Sequence, residues 1–580
     1  MDIRGWLQKQ APDFVSTFAR FPFAITLAAT ATVVFIAYSN GYAWARDELW
    51  GRALLGLATG AVVAVAGVFF SESRPDSRLA VLLFAYVAPV LVVAAFLGTD
   101  IAWLAPWLLP VVAILWLSVS PFTRVGHGAE REGLEDRFWW INHQAVASAV
   151  IGAAAFLLVA LGMAAIERSL AILFGFETGL VFYNWILPFA GLFLTPVYWL
   201  STLPQVSDYP SEGLVQPDFT SRAAGFLGQF ILVPLLLVYG LILLAYTAQI
   251  VVTQRLPEGM IGWMVLGFVT IGAATWLLLH PAFMRQRALV RLFRRWWFWL
   301  TVIPLALFFV AVSVRVDAYG LTHERVLLLA GGVWASLLAG AYLIGRGDIR
   351  LIPALAGGIL LLLSAGPWNY ANLPVVQQAM RLDALLSQPG KGGASFPPDW
   401  TPEQVAMAAS ILDYLQYAPG GETKLAELLP RYGLKFGAVM SASVLEELGY
   451  THPAYSVPVT GISAQRDSAT QQIDVSATPV LLGALALYPP NDGTVAGLIF
   501  QIEGNSFRVF NQPAPEVDLT AWLARQSNGN LVEPWIDFVI GERKYRYAID
   551  ALTADLSEGG QPKLTYLYGT LFASSPMPTP

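Results

Sequence analysis

Long apolar runs separated by short polar stretches fill the first two thirds of this chain, at lengths that suit a helix crossing a bilayer. The pattern predicts spans at Phe21–Tyr38, Ala53–Phe70, Leu79–Leu97, Ala102–Ser118, Asn142–Ile166 and Leu180–Leu200. It continues with Gly225–Val252, Met260–Leu279, Trp296–Val314, Val326–Ile344 and Leu351–Ala365, eleven in all. One further crossing could fall near Leu170–Phe176.

The period then changes. After a Gly/Pro-rich stretch at Leu386–Trp400, Thr401-Pro402-Glu403-Gln404 reads as a capping box, and apolar residues at Val405, Ala408, Ala409, Leu412 and Leu415 follow at helical spacing. Helices are also expected at Glu422–Leu429 and Phe436–Leu448. Alternation takes over at Leu498, Phe500 and Ile502, turns at Gly504-Asn505, and returns through Phe507 and Val509. A second hairpin is expected from Ile536, Phe538 and Ile540 through Gly541-Glu542-Arg543 to Tyr545, Tyr547 and Ile549, with a further strand at Leu564–Phe572. The fold class is an α-helical polytopic membrane protein of about eleven transmembrane helices, followed by a small α+β extracytoplasmic domain.

Composition agrees: 56% of the 580 residues are hydrophobic and 13% are charged, where a soluble domain carries about 25% charged. Charge then gives direction. Arg285, Arg287, Arg291, Arg294 and Arg295 form a basic knot between two apolar runs, which belongs on the cytoplasmic side. With the N-terminus inside, sixteen Lys and Arg fall in cytoplasmic segments and six on the other side. The expected organisation is a cytoplasmic N-terminus at 1–20, a membrane domain at 21–366, a linker at 367–400, a periplasmic α+β domain at 401–572 and a disordered tail at 573–580. Residues 367–580 hold 12 Lys and Arg against 20 Asp and Glu, which argues against nucleic acid as a partner. Ala43-Trp44-Ala45 has the form of a signal-peptidase site, although the further spans favour an uncleaved first helix.

Candidate chemistry is thin. Cysteine is absent, and His127, His143, His280, His323 and His452 form no ligand-spaced cluster, so neither a metal nor a cofactor is expected. The spans as drawn contain no Asp, Glu, Lys or Arg, which disfavours an ion-coupled carrier. Asn142 and His143, after Trp139-Trp140, read either as a headgroup contact or as a capped, aromatic-anchored helix start. Tyr239 and Tyr246 share one helix face, with Pro234 a kink nearby; they either line a polar cavity or bond across packed helices. The five arginines of the knot either attract anionic lipid headgroups or only set topology. Gly56, Gly60 and Gly67 form a small-residue packing face, expected to pack within the chain.

Several segments of the middle chain occur in a telling order: Tyr239–Tyr246 (YGLILLAY), Leu256-Pro257-Glu258-Gly259, Val265-Leu266-Gly267-Phe268 and Leu277-Leu278-Leu279-His280-Pro281. Tyr319-Gly320-Leu321-Thr322 with Arg325, Gly366-Pro367-Trp368 and Ile411-Leu412-Asp413-Tyr414-Leu415 follow. Together they resemble a bacterial family of polytopic membrane proteins catalogued as domain of unknown function 4153. The resemblance carries no activity and no catalytic residue. Three functions stay open: a non-catalytic inner-membrane scaffold or sensor, with membrane lipids and another envelope protein as partners; a transporter or flippase for an amphipathic substrate; and a membrane enzyme acting on lipid or cell-wall precursors.

Overall fold

The computed structural model describes residues 15–575 except for short stretches, the longer being 43–47, 210–218, 254–260, 391–395, 436–440, 451–460, 510–515 and 557–561. Ala43-Trp44-Ala45, Leu256–Gly259, Gly504, His452 and residues 576–580 lie outside the described residues, as does the start of the helix expected at Phe436–Leu448. The chain divides into two compact units after Ser441.

Among the described residues of the first unit, eight helices are long and apolar enough to cross a membrane. They are α1 (Pro22–Ser39), α2 (Leu49–Glu72), α5 (Ala129–Phe174), α6 (Gly179–Thr202), α7 (Ser221–Thr253), α8 (Ile261–Leu278), α9 (Ala288–Tyr319) and α10 (His323–Leu343). Three shorter apolar helices, α3 (Leu83–Leu97), α4 (Pro106–Phe122) and α11 (Leu351–Leu362), occupy the other expected spans. Among the described residues no extra crossing forms near Leu170: α5 runs to Phe174 and stops at Gly175, whose φ of 69° is the left-handed cap that favours glycine.

Glycines set the helix separations. An added Cβ at Gly67 would stand 2.1 Å from the Phe84 carbonyl oxygen, and at Gly56 it would stand 3.1 Å from Phe96 Cβ. The small-residue face of α2 therefore packs on α3 inside the chain, as expected. At Pro234 the helix does not simply bend. The ring lacks an N–H, and the segment just before it, Leu227–Leu232, widens into a π turn. The largest apolar core joins α7, α8, α9 and α10 around Phe268, Trp276, Phe293, Trp297 and Phe308.

This unit continues past the expected linker. α12 (Asn372–Leu386) occupies its first half, and α13 (Pro402–Tyr417) begins at the expected box, with Thr401 N donating to Gln404 Oε1 at 2.8 Å. α14 (Gly421–Leu428) follows. α12 lies at the foot of α9: the Arg381 guanidinium donates to the Val316, Asp317 and Ala318 carbonyls at 3.2, 3.1 and 3.2 Å. α12 and α13 are therefore at the end of the bundle opposite to the arginine knot, which opens α9.

The second unit is β-rich. One sheet has the order β2 (Val480–Leu487), β10 (Pro562–Ala573), β9 (Arg543–Leu556), β1 (Gly461–Gln465), β7 (Gly529–Asn530), with β8 (Trp535–Ile540) also paired to β9. The other runs β3 (Gly493–Val495), β4 (Leu498–Glu503), β5 (Ser506–Val509), β6 (Val517–Asp518). Both expected hairpins form, with Phe500 opposite Val509 and Ile540 opposite Arg543. The sheets share one core, in which Phe538 meets Phe500 and Phe507 edge-on at 6.2 and 5.4 Å.

Candidate functional site

The chemistry-bearing residues collect where α4, α5, α8, α9, α10 and α11 begin or end together. A charged segment, Ala129–Ile141, precedes the apolar part of α5 and is helical, so Arg131 and Glu135 share a face and pair at 2.8 Å. Arg131 also reaches Asp348 at 3.5 Å. Asp348 and Arg350 form a buried pair, with Nη2 donating to Oδ2 at 2.7 Å and the Arg350 amide to Oδ1 at 2.8 Å. Next to Glu135, Asp136 lies 2.9 Å from His280 Nε2 and 3.7 Å from Arg285. The contacts continue outward: Arg124 donates to the Ser73 carbonyl at 3.1 Å, and Arg20 pairs with Glu72 at 2.7 Å and donates to the Leu203 carbonyl. Arginines from five segments, Arg20, Arg124, Arg131, Arg285 and Arg350, thus make their contacts at one end of the bundle.

The structure redistributes the expected site residues. Arg291, Arg294 and Arg295 are not in a loop, because α9 already begins at Ala288, with Arg287 its N-cap. Arg287, Arg291 and Arg295 recur every four residues and are exposed on one face. Arg285 and Arg294 turn inward, and the Arg294 guanidinium lies 4.2 Å over the Trp276 ring. Asn142 does not cap a helix start, since α5 begins thirteen residues earlier at Ala129. Its amide instead donates to the Ser118 carbonyl at 3.1 Å, binding α5 to α4. His143 stacks on Trp139 at 4.6 Å and meets Ser221 Oγ at 3.2 Å. Tyr239 and Tyr246 pack against the apolar core, Tyr239 standing 5.9 Å from the Phe268 ring. They are not brought together with the arginines.

Between α4 and α11 lies a trough of about 920 Å³. Leu115, Trp116 and Val119 form one wall, and Leu351, Ala354 and Leu361 the other. Its mouth carries Arg124, His127, Arg131, Arg346, Asp348 and Arg350. Arg350 is committed to Asp348, and Arg131 to Glu135. Arg346 is exposed and in no ion pair among the described residues, so the mouth keeps a net positive charge. An apolar slot ending in guanidinium groups suits an anionic amphiphile. Sequence reasoning missed this trough; the four-residue spacing of Arg131 and Glu135 was the one local signal. Among the described residues no group of three His, Asp or Glu is placed to hold a metal.

The family model described as Domain of unknown function (DUF4153) matches residues 24–384. The chain belongs to this family. The match takes in the bundle, both walls of the trough and nearly all of α12. A curated relative, "Uncharacterized protein PM1469" of Pasteurella multocida (strain Pm70), is 27% identical over 162 residues, covering 27% of each chain. No solved structure matches the chain.

Proposed function

We propose that this family member is an inner-membrane protein acting without catalysis, as a sensor or scaffold, and that its trough holds an anionic membrane lipid. The observation that carries the reading is the trough itself, apolar between α4 and α11 and cationic at Arg124 and Arg346. The exposed stripe of Arg287, Arg291 and Arg295 adds a surface that attracts anionic headgroups.

The arginine end faces the cytoplasm in this reading, and residues 367–580 face the periplasm. The clustering at one end of Arg20, Arg124, Arg131, Arg285, Arg346 and Arg350, all assigned inside by the positive-inside rule, supports it. Because the chain has no cysteine, single cysteines placed at exposed Tyr417 and Arg287 give a direct test with a membrane-impermeant thiol reagent. Labelling of Tyr417→Cys and protection of Arg287→Cys in intact cells is expected; the reverse pattern inverts the topology.

For the lipid, the test is native mass spectrometry of the full chain released from native lipid particles. One retained anionic lipid is expected, and the double variant Arg124→Ala/Arg346→Ala should lose it. Equal retention by the variant would refute the assignment. Lipid transfer between leaflets of reconstituted vesicles, slowed by the same variant, would turn the sensor into a carrier.

A further inference from the structure

The trough has a length as well as a charge. Along α11 its lining runs through Leu351, Ala354, Gly358 and Leu361, one helix face at three- and four-residue spacing. From Leu351 to Leu361 is about 15 Å at the rise of an α-helix. Val112 to Phe122 on the facing wall covers about the same distance. The hydrocarbon of a bilayer is about 30 Å thick, so the trough is as deep as one leaflet.

The two walls are held together from end to end. At the mouth, the Arg350 guanidinium donates to the Phe122 and Arg124 carbonyls. At the far end the segments that bound α4 and α11 bond through their backbones. Ala105 N donates to the Ser364 oxygen and Gly366 N to the Trp103 oxygen, both at 2.9 Å. Between these points the helices touch, because a Cβ at Gly357 would stand 3.3 Å from Leu115 Cβ. The slot is therefore preformed, with a fixed floor.

Gly358 has different surroundings. It lines the slot, and a Cβ there would have nothing within 4 Å. Glycine is a poor residue for a helix interior, and no close neighbour asks for it here. What the missing side chain provides is open space in the middle of the α11 wall.

We infer that the trough takes one unbranched acyl tail of a lipid from the leaflet at the arginine end, and that Gly358 sets the tail length it accepts. The inference rests on the lipid reading of the trough. An extended tail advances about 1.3 Å per carbon, from C–C bonds of about 1.5 Å, so roughly twelve carbons fill the slot. Each of them gains contacts with the walls, and any carbon beyond them stays among other lipid tails. Gly358→Leu puts a side chain about 10 Å beyond Leu351 and stops the tail after roughly eight carbons.

The test offers the full chain, in phosphatidylcholine nanodiscs, an equimolar series of lysophosphatidylglycerols. Their tails run from about eight to about eighteen carbons, bracketing the length of the slot. Native mass spectrometry reads which of them stay bound. Retention by the unaltered chain should rise to roughly twelve carbons and then level off. Gly358→Leu should move that point to roughly eight carbons, and Gly358→Ala should move it less. Gly340→Leu, on α10 and outside the trough, should leave it in place. If Gly358→Leu elutes as the unaltered chain does and keeps its length profile, the role of Gly358 is overturned and the lipid reading stands. Retention of no anionic lipid by the unaltered chain overturns both. Where Gly358→Leu elutes differently, Gly358→Ala decides, and an unshifted profile is the same refutation.

Discussion

Arg350 and Asp348, two residues apart, form a buried ion pair whose guanidinium also receives the ends of a distant helix. Nη1 donates to the main-chain oxygens of Phe122 and Arg124 at 2.9 and 2.8 Å, across sequence separations of 228 and 226. The pair therefore fixes the mouth of the trough. Arg350→Met strands a buried carboxylate and two carbonyls, and should cost about 3–5 kcal/mol. Thermal unfolding of the purified protein in detergent measures this. Asp348→Leu added to Arg350→Met should restore much of the loss; a single variant as stable as the parent would show that the pair does not hold the mouth.

Gly67 and Gly51 lie on one helix with opposite surroundings. Nothing stands within 4 Å of a Cβ at Gly51, whereas at Gly67 it collides with the Phe84 backbone. Gly67→Ala should destabilise by about 1–3 kcal/mol. Gly51→Ala should be neutral or slightly stabilising, since alanine is the better helix former. The two variants, compared by unfolding temperature, test the α2–α3 packing directly.

Burial raises the Tyr414 phenol to about 12. A phenol whose folded pKa lies above its unfolded value near 10 stabilises the fold while it stays protonated. That contribution is complete below pH 10 and is lost as pH rises through about 12. The stability of the unaltered chain should fall across this window, and Tyr414→Phe should fall less steeply. Parallel curves would mean that Tyr414 ionises as freely in the fold as in the unfolded chain.

In the β-rich unit, the Tyr547 hydroxyl is buried and donates to the Leu485 carbonyl at 2.8 Å, pinning β9 to the strand beyond its neighbour. Tyr547→Phe should cost about 1 kcal/mol. Limited proteolysis of the full chain, following cleavage after residue 442, reads this as faster loss of the strand region. An unchanged rate would mean that the hydroxyl bond adds nothing to that unit.

The helices and both hairpins were legible because each follows from a local period. The arginine knot was read as a loop because charge density outweighed a four-residue spacing that was also present at Arg287, Arg291 and Arg295. The segment before Asn142 misled in the same way: its charges suggested a loop, yet Arg131 and Glu135 sit one turn apart. Strand β2 was missed because Val480–Leu487 is a nearly continuous apolar run interrupted by Gly483, with no alternation to mark it. The long-range contacts could not be read at all. The Asp136–His280 and Tyr414–His323 contacts join residues separated by 144 and 91 positions, and only packing brings them together.

α10 is a single unbroken helix of 21 residues, about 30 Å long. Arg346, beyond one end, stands at the mouth of the trough, and His323, at the other, is bonded to Tyr414 of α13. Because its backbone hydrogen bonds run unbroken, α10 acts as a spacer that fixes how far apart those two places lie.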